Sequence, residues 1–326
     1  MTLPKVYVTR RIQDTGLSLL PGRADFEVWE KVGPVDREVL LEKASKAEGL
    51  LCTLSDRVDE ELLSRSPDLK IVSNYAVGYD NIDVDAATRR GILVTNTPDV
   101  LTNATADIAF TLVLAAARRV VEANEFLRSG KWITWHPDLL LGQDVSESVM
   151  GIVGMGKIGQ AVAKRARGFS MDVLFYNRSP RPEAEKAFGA QQVSLEELLQ
   201  KSDFVSIHCP LSEETKGLIG ERELGMMKKT AILINTSRGP VVDQKALFRA
   251  CSEKWIWGAG LDVFDKEPVP PDEPLLSLKN VTTLPHLGSA TVKAREGMAR
   301  KAAENLLAGL EGKKPTDLVN PKAFQR

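Results

Sequence analysis

Residues 149–159 read VMGIVGMGKIG. The apolar run VMGIV predicts a buried strand, and the segment behind it, KIGQAVAKRAR at 157–167, has apolar residues at helical spacing. Between them lies G-x-G-x-x-G. That pattern is weak alone but specific on a strand-to-helix turn. Gly154 permits the tight turn, Gly156 lets a pyrophosphate approach the backbone, and Gly159 lets helix and strand pack closely. Met155, Lys157 and Ile158 complete the loop, whose free N–H groups and helix dipole favour an anion. The turn predicts a dinucleotide site.

Strand-like runs recur on both sides. Downstream come DVLFY (172–176), DFVSIH (203–208), TAILIN (230–235), WGAGLDV (257–263) and VTTL (281–284), mostly with helical stretches between them. Upstream come KVYVT (5–9), GLLCT (49–53), KIVSN (70–74) and ILVTN (92–96), with a helix expected at 36–47. Both series describe parallel sheets flanked by helices. TNATADIAFTLVLAAARR (102–119) is apolar nearly all round, which predicts a buried helix suited to joining two domains or meeting a second subunit. A helical stretch at 290–310 would carry the chain back to the first series. The expected architecture is α/β with two doubly wound domains. A Rossmann-type dinucleotide-binding domain, residues 101–288, is inserted into a flavodoxin-like substrate domain, residues 1–100 and 289–326. EPVPPDEP (267–274) reads as a rigid loop.

The bulk properties narrow the partners. The 326 residues are 43% hydrophobic and 27% charged, a globular composition. A formal net charge of −1 gives no field to attract nucleic acid or an anionic membrane. Cys52, Cys209 and Cys251 show no metal-like spacing and no disulfide framework, so no metal is expected and a reducing, cytoplasmic setting is. MTLPKVYVTRR enters a strand directly, without a signal core, and no uncharged run is long enough to span a bilayer.

Chemistry is expected at the carboxyl ends of the strands. About 20 residues past the glycine turn, dinucleotide folds usually place an acidic ribose ligand. Here DVLFY ends in Asn177, Arg178 and Ser179. No carboxylate there repels a 2′-phosphate, Arg178 can pair with one, and Arg181 stands near. This favours NADP(H), with NAD(H) possible through Asn177 on the ribose hydroxyl. Arg238 follows TAILIN, Glu267 follows GLDVF, and His286 follows VTTL. Of the three histidines, His136 lies in a Trp/Pro loop, and His208, ending a strand beside Cys209 and Pro210, is expected to line the cofactor cleft. His286 remains as the acid/base near neutral pH. Glu267 would orient it, and Arg238 would hold a substrate carboxylate and polarise a carbonyl. Together they fit reduction of a 2-oxo acid.

With these residues assembled, the chain resembles the D-2-hydroxyacid dehydrogenase family over nearly its whole length. NYAVGYDNIDVDAATRRGILVTNTP, GIVGMGKIGQAVA, ILINTSRGPVVD, GAGLDVFDKEP and LPHLGSAT carry the resemblance. VTRRI, LLCTLSDRVD, TPDVLTNATAD and KWITWHP bring it nearest to the glyoxylate/hydroxypyruvate reductases of that family. The resemblance implies reduction of glyoxylate and hydroxypyruvate to glycolate and D-glycerate, with His286 as proton donor. It implies that the N–H groups of Val77 and Gly78 grip the substrate carboxylate, and that Leu54 and Arg295 border the substrate. Thr105 would lie by the nicotinamide, and Cys209, Pro210, Thr236, Ser237, Asp262 and Gly288 would line the cofactor cleft. It further implies a homodimer assembled through the cofactor domain, with Trp135 reaching into the second subunit's active site. Asp107 stands where the family usually has Glu, Asn177 replaces the acidic ribose ligand, and Trp255 and Trp257 read as packing residues. The shared triad leaves open another small substrate, such as a bulkier 2-oxo acid or phosphite. Dinucleotide-sensing corepressors keep the triad too, but tend to carry extra tails or peptide-binding features.

Overall fold

The computed structural model describes residues 2–325. It divides into two compact units. One comprises the chain up to Leu101 and from Ala290 onward, and the other is Thr102–Ser289.

The first unit holds five strands: β1 (Lys5–Val8), β2 (Asp25–Val28), β3 (Gly49–Cys52), β4 (Ile71–Asn74) and β5 (Leu93–Thr95). All pair in parallel, in the order β2-β1-β3-β4-β5. This is the flavodoxin-like order. Every residue of β3, β4 and β5 is buried, as parallel strands covered on both faces require. The helix Val292–Leu310 lies in this unit, capped by the Thr291 side chain, which accepts from the Ala294 N–H. It starts two residues later than the sequence pattern indicated, because Thr291 supplies the cap. The segment behind it protects the β5 edge. Val319 N–H donates to Val94 O, while Asn320 Oδ1 accepts from Val94 N–H and its Nδ2 donates to Ile92 O.

The second unit holds seven strands: β6 (Val149–Val153), β7 (Asp172–Tyr176), β8 (Gln191–Gln192), β9 (Phe204–Ile207), β10 (Ile232–Asn235), β11 (Gly258–Leu261) and β12 (Val281–Thr283). Their order is β12-β11-β10-β9-β6-β7-β8, again all parallel. Counting from β6 this is the Rossmann order with a strand added at the far edge. The order reverses at β6, so the ligand crevice of such a sheet opens at the end of that strand. Helix Thr102–Ala117 packs in this unit's core through Ala106, Ala109, Leu112 and Val113. Each fully buried large aliphatic side chain contributes about 1.5–3 kcal/mol.

Three features depart from the sequence pattern. β2, DFEV, is an edge strand that alternates exposed and half-buried residues, with Asp and Glu on its open side. β8 is only QQ. The long helix expected at 102–119 ends at Ala117, and a second helix, Val120–Arg128, begins after Arg119 adopts φ 53°, ψ 38°. No glycine or proline marks that break. Arg119 is held there by Glu122 through paired hydrogen bonds of 2.9 and 3.0 Å. No helix among the described residues is long and apolar enough to cross a membrane.

Candidate active site

The glycine turn follows β6 directly. Gly154 has φ 100°, and its N–H donates to Tyr176 O at the end of β7. An added Cβ would lie 2.6 Å from the Cys209 nitrogen, so both conformation and space demand glycine. A side chain at Gly159 would run into the Gly154 carbonyl. Gly156 differs: a Cβ there would meet no protein atom within 4 Å. The protein's own packing does not require glycine at 156, whereas a diphosphate lying against the backbone does. Gly156 caps the helix Lys157–Gly168 without a side-chain hydrogen bond, which leaves the helix N-terminus suited to an anion. These residues fit the diphosphate of a dinucleotide. Met155 is buried, Lys157 is exposed and Ile158 half-buried on the first turn.

Asn177 follows β7, and its side chain is engaged within the chain. Oδ1 accepts from Met155 N–H at 3.2 Å, and Nδ2 donates to Ser179 O at 2.8 Å. Gln192 Nε2, on β8, donates to Asn177 O at 3.0 Å. Asn177 therefore ties the glycine turn to the Arg178–Ser179 segment, and in this geometry its amide is not presented to a ribose. Arg178 and Ser179 are exposed. The Glu214 carboxyl lies below its ordinary value, chiefly through the Ser212 hydroxyl, with the charge of Arg178 also contributing. Arg181 lies 3.6 Å from Glu183.

His208, Cys209 and Pro210 follow β9. His208 Nε2 pairs with Ser206 Oγ at 2.8 Å, and burial lowers its pKa to about 4, so it stays neutral. Burial raises the Cys209 thiol to about 11, which keeps it protonated. Ser237 Oγ donates to Cys209 O, joining this wall to the segment after β10, where Thr236 is buried.

The segments after β10, β11 and β12 bring Arg238, Glu267 and His286 into this same unit. Asn235 Nδ2 donates to Arg238 O at 2.8 Å, and Arg238 Nη1 donates to Ser237 O at 2.8 Å. Gly239 lies so close to the Phe264 backbone that a Cβ would not fit, which brings the arginine segment against the glutamate segment. Glu267 Oε1 accepts from Phe264 N–H at 3.0 Å, and Oε2 sits 2.6 Å from His286 Nδ1. Burial pushes the Glu267 carboxyl up, but the His286 hydrogen bond and charge, the Phe264 N–H and Arg238 bring it below its ordinary value. An ionised Glu267 holds a proton on Nδ1 and leaves Nε2 for chemistry.

Asp262 sets the histidine's turn. Its carboxylate accepts from Leu287 N–H at 2.6 Å and Gly288 N–H at 2.7 Å, while its carbonyl accepts from His286 N–H at 3.0 Å. His286 itself has φ 55°. Burial raises the Asp262 carboxyl, against those two N–H groups. A Cβ on Gly288 would lie 3.3 Å from Asp262 Oδ2 and 3.4 Å from Thr105 Cγ2, so Thr105, Asp262 and Gly288 converge. Asp107, two residues on, pairs with Arg165 of the glycine-turn helix at 2.6 Å and ties the two helices. Trp255 and Trp257 pack against the unit's cores.

In the first unit, Val77 and Gly78 lie in the turn after β4 and Leu54 in the turn after β3, with Leu54 41% exposed. Arg295 sits on Val292–Leu310, its carbonyl accepting from Tyr75 Oη at 2.9 Å. Trp135, in the second unit, is 76% exposed. Among the described residues no group of His, Cys, Asp and Glu could hold a metal ion. The sequence reading missed the side-chain amides of Asn74, Asn81 and Asn96 and the buried carboxylate of Asp56, which hold the first unit's turns. Their positions at or near strand ends were visible, but their partners exist only in the folded turns, and for Asn81, Asn96 and Asp56 these include residues that follow another strand.

Residues 110–288 match the family model described as "D-isomer specific 2-hydroxyacid dehydrogenase, NAD binding domain". A glyoxylate reductase of Thermococcus kodakarensis is 56% identical over 99% of this chain and 98% of the relative. A crystal structure of a glyoxylate reductase from Paecilomyes thermophila superposes with TM-score 0.88 at 33% identity, covering 99% of this chain and 100% of that one. An NADPH-dependent glyoxylate/hydroxypyruvate reductase of Sinorhizobium meliloti, solved with NADP and malonate, gives TM-score 0.87 at 32% identity over 100% of this chain and 99% of its own. The chain therefore belongs to the D-isomer specific 2-hydroxyacid dehydrogenases and is an NAD(P)-dependent oxidoreductase.

Proposed function

We propose that this enzyme reduces glyoxylate and hydroxypyruvate to glycolate and D-glycerate, preferring NADPH and accepting NADH. The observation that carries the reading is the 2.6 Å His286–Glu267 pair, beside Arg238, at successive strand ends of a Rossmann sheet. The names of the relatives, glyoxylate reductase and NADPH-dependent glyoxylate/hydroxypyruvate reductase, support the substrate class.

A bound nicotinamide supplies the hydride that the carbonyl carbon accepts. His286 donates the proton from Nε2 to the carbonyl oxygen, completing the alcohol. Glu267 fixes the imidazole through Nδ1 and stabilises its cationic form. Arg238 and the N–H groups of Val77 and Gly78 hold the carboxylate, with Leu54 and Arg295 bordering it. Arg178 and Ser179 take the 2′-phosphate. Thr105, Thr236, Ser237, Cys209, Pro210, Asp262 and Gly288 line the cofactor's path. Kinetics on a panel of small 2-oxo acids, each with NADPH and NADH, tests the reading. Turnover confined to larger 2-oxo acids, or equal use of both cofactors, would overturn its respective half.

We also propose a homodimer. The helix Val120–Arg128 has no buried residue, and with the loop after it this unit exposes Val120, Val121, Leu127, Trp132, Ile133 and Trp135. So many large apolar side chains exposed along one stretch of chain point to a protein interface. Light scattering giving a monomer mass would refute this. Three free cysteines suit a reducing compartment, and we place the enzyme in the cytoplasm.

A further inference from the structure

The turn after β4 is held by its carbonyls. Thr97 N–H donates to Ala76 O at 2.9 Å, Asn96 Nδ2 donates to Val77 O at 2.8 Å, and Asn74 Nδ2 donates to Gly78 O at 2.8 Å. Asn74 ends β4, and Asn96 and Thr97 immediately follow β5. A trans peptide is planar, so the N–H of each next residue points opposite the carbonyl before it. The bond to Ala76 O therefore aims the Val77 N–H, and the bond from Asn96 to Val77 O aims the Gly78 N–H. Among the described residues nothing accepts from either N–H.

Asn96 is itself pinned. Its N–H donates to Asp317 O at 3.4 Å, and its carbonyl accepts from Asn305 Nδ2 at 3.3 Å. Asn305 also donates to Asp317, which pairs with Lys301 at 3.0 Å. A carbonyl can only accept, so the Asn96 amide must present its nitrogen to Val77. A donor fixed this way costs no reorganisation when an anion arrives.

We propose that Asn96 is a positioning residue for the reaction, aiming the Gly78 N–H at the substrate carboxylate. This rests on the reading that Val77 and Gly78 take that carboxylate. Asn96→Ala removes the aim and leaves the N–H. Asn96→Asp keeps the volume but turns a carboxylate oxygen toward the Val77 carbonyl, acceptor against acceptor. Either variant should raise KM for glyoxylate roughly tenfold, and the inhibition constant of oxalate, which is not reduced, by the same factor. kcat and NADPH affinity should stay within about twofold, the signature of lost ground-state binding. Unchanged KM and oxalate inhibition in a folded variant would overturn the proposal. So would a parallel fall in kcat, cofactor affinity and melting temperature, which would mark a general loss of structure.

One measurement on the wild type separates this from the reading beneath it. In ¹⁵N-glycine-labelled enzyme loaded with NADPH, the Gly78 amide should shift when oxalate is added. If it shifts while Asn96→Ala and Asn96→Asp keep wild-type oxalate inhibition, the carboxylate grip stands and Asn96 does not aim it. If it does not shift, the grip itself is wrong and the proposal falls with it.

Discussion

The turn at residues 154–159 and the turn at residues 75–79 both leave a parallel strand and both present backbone N–H groups, yet they are held by different means. The first is shaped by absent side chains. Gly154 needs φ 100° and the space beside Cys209, and Gly159 needs the space beside a carbonyl. The second is shaped by side-chain amides, Asn74 at the end of its own strand and Asn96 reaching in from just past the neighbouring β5. A turn made by glycine is specified where it stands. A turn made by borrowed amides is specified by which strands become neighbours.

Neither turn is proposed to carry out chemistry, so removing the proposed proton donor should give the largest effect. His286→Ala should lower kcat for 2-oxo acid reduction by about 10²–10⁴-fold, the usual range for a lost general acid. NADPH affinity, measured by fluorescence titration, should stay near wild type because the glycine turn is untouched. Near-normal turnover by this variant would remove His286 from the mechanism.

The next largest effects lie within the glycine turn and separate its two kinds of glycine. Gly154→Ala meets both a forbidden φ and the Cys209 nitrogen at 2.6 Å, so it should lose stability by about 1–3 kcal/mol and weaken cofactor binding. Gly156→Ala meets no protein atom within 4 Å. It should melt like the wild type yet bind NADPH at least about tenfold more weakly, because the new methyl occupies the space of the diphosphate. Calorimetry and titration on the two variants test this. Equal loss of stability in both would mean that Gly156 serves packing after all.

This contrast explains how much of the molecule was legible in its sequence. The Rossmann half was readable because VMGIVGMGKIG carries strand, turn and helix in one stretch, and the placement of Arg238, Glu267 and His286 beyond successive strands because each follows an apolar run. β2 escaped because DFEV, at a sheet edge, is only four residues long, too short for its alternation of Asp and Glu with Phe and Val to stand out. The helix break at Arg119 escaped because a left-handed arginine, held by Glu122, leaves no glycine or proline behind. Asn177 was visible as a strand-end residue, but its amide bonds to Met155 and Ser179 depend on the folded turn. Asn96 was invisible for the same reason. Asp56 is a further case: buried, it accepts from Thr53 N–H at 2.7 Å and from the Thr9 hydroxyl at 2.5 Å, and thereby shapes the turn that carries Leu54.

Beside the glycine turn, Arg178→Asp tests what the Asn177 brace delivers. The brace should survive, since it uses the Ser179 carbonyl and not the Arg178 side chain. The NADPH/NADH ratio of kcat/KM should fall about tenfold or more, because a carboxylate would replace the cation proposed to pair with a 2′-phosphate. An unchanged ratio would show that Arg178 does not select the cofactor, leaving Ser179 or the helix end to do so.

The smallest effect is expected at Glu267, whose brace is a side-chain ion pair and not a backbone shape. Its folded pKa is depressed, despite burial, by His286, the Phe264 N–H and Arg238. A depressed carboxyl contributes stability above its unfolded pKa and loses it as pH falls through the folded value. Glu267→Gln should therefore melt below wild type at pH 7, with the gap closing as pH drops below the ordinary 4.5. The pair is 27% exposed on each side, and an ion pair so open contributes about 1 kcal/mol or less. The kinetic consequence is easier to see. Without the carboxylate the imidazole loses the acceptor 2.6 Å from Nδ1 that fixes its ring, so kcat for reduction should fall while NADPH affinity stays near wild type. If kcat stayed at the wild-type level, Glu267 would not orient the proton donor, and the 2.6 Å pair would serve the fold alone.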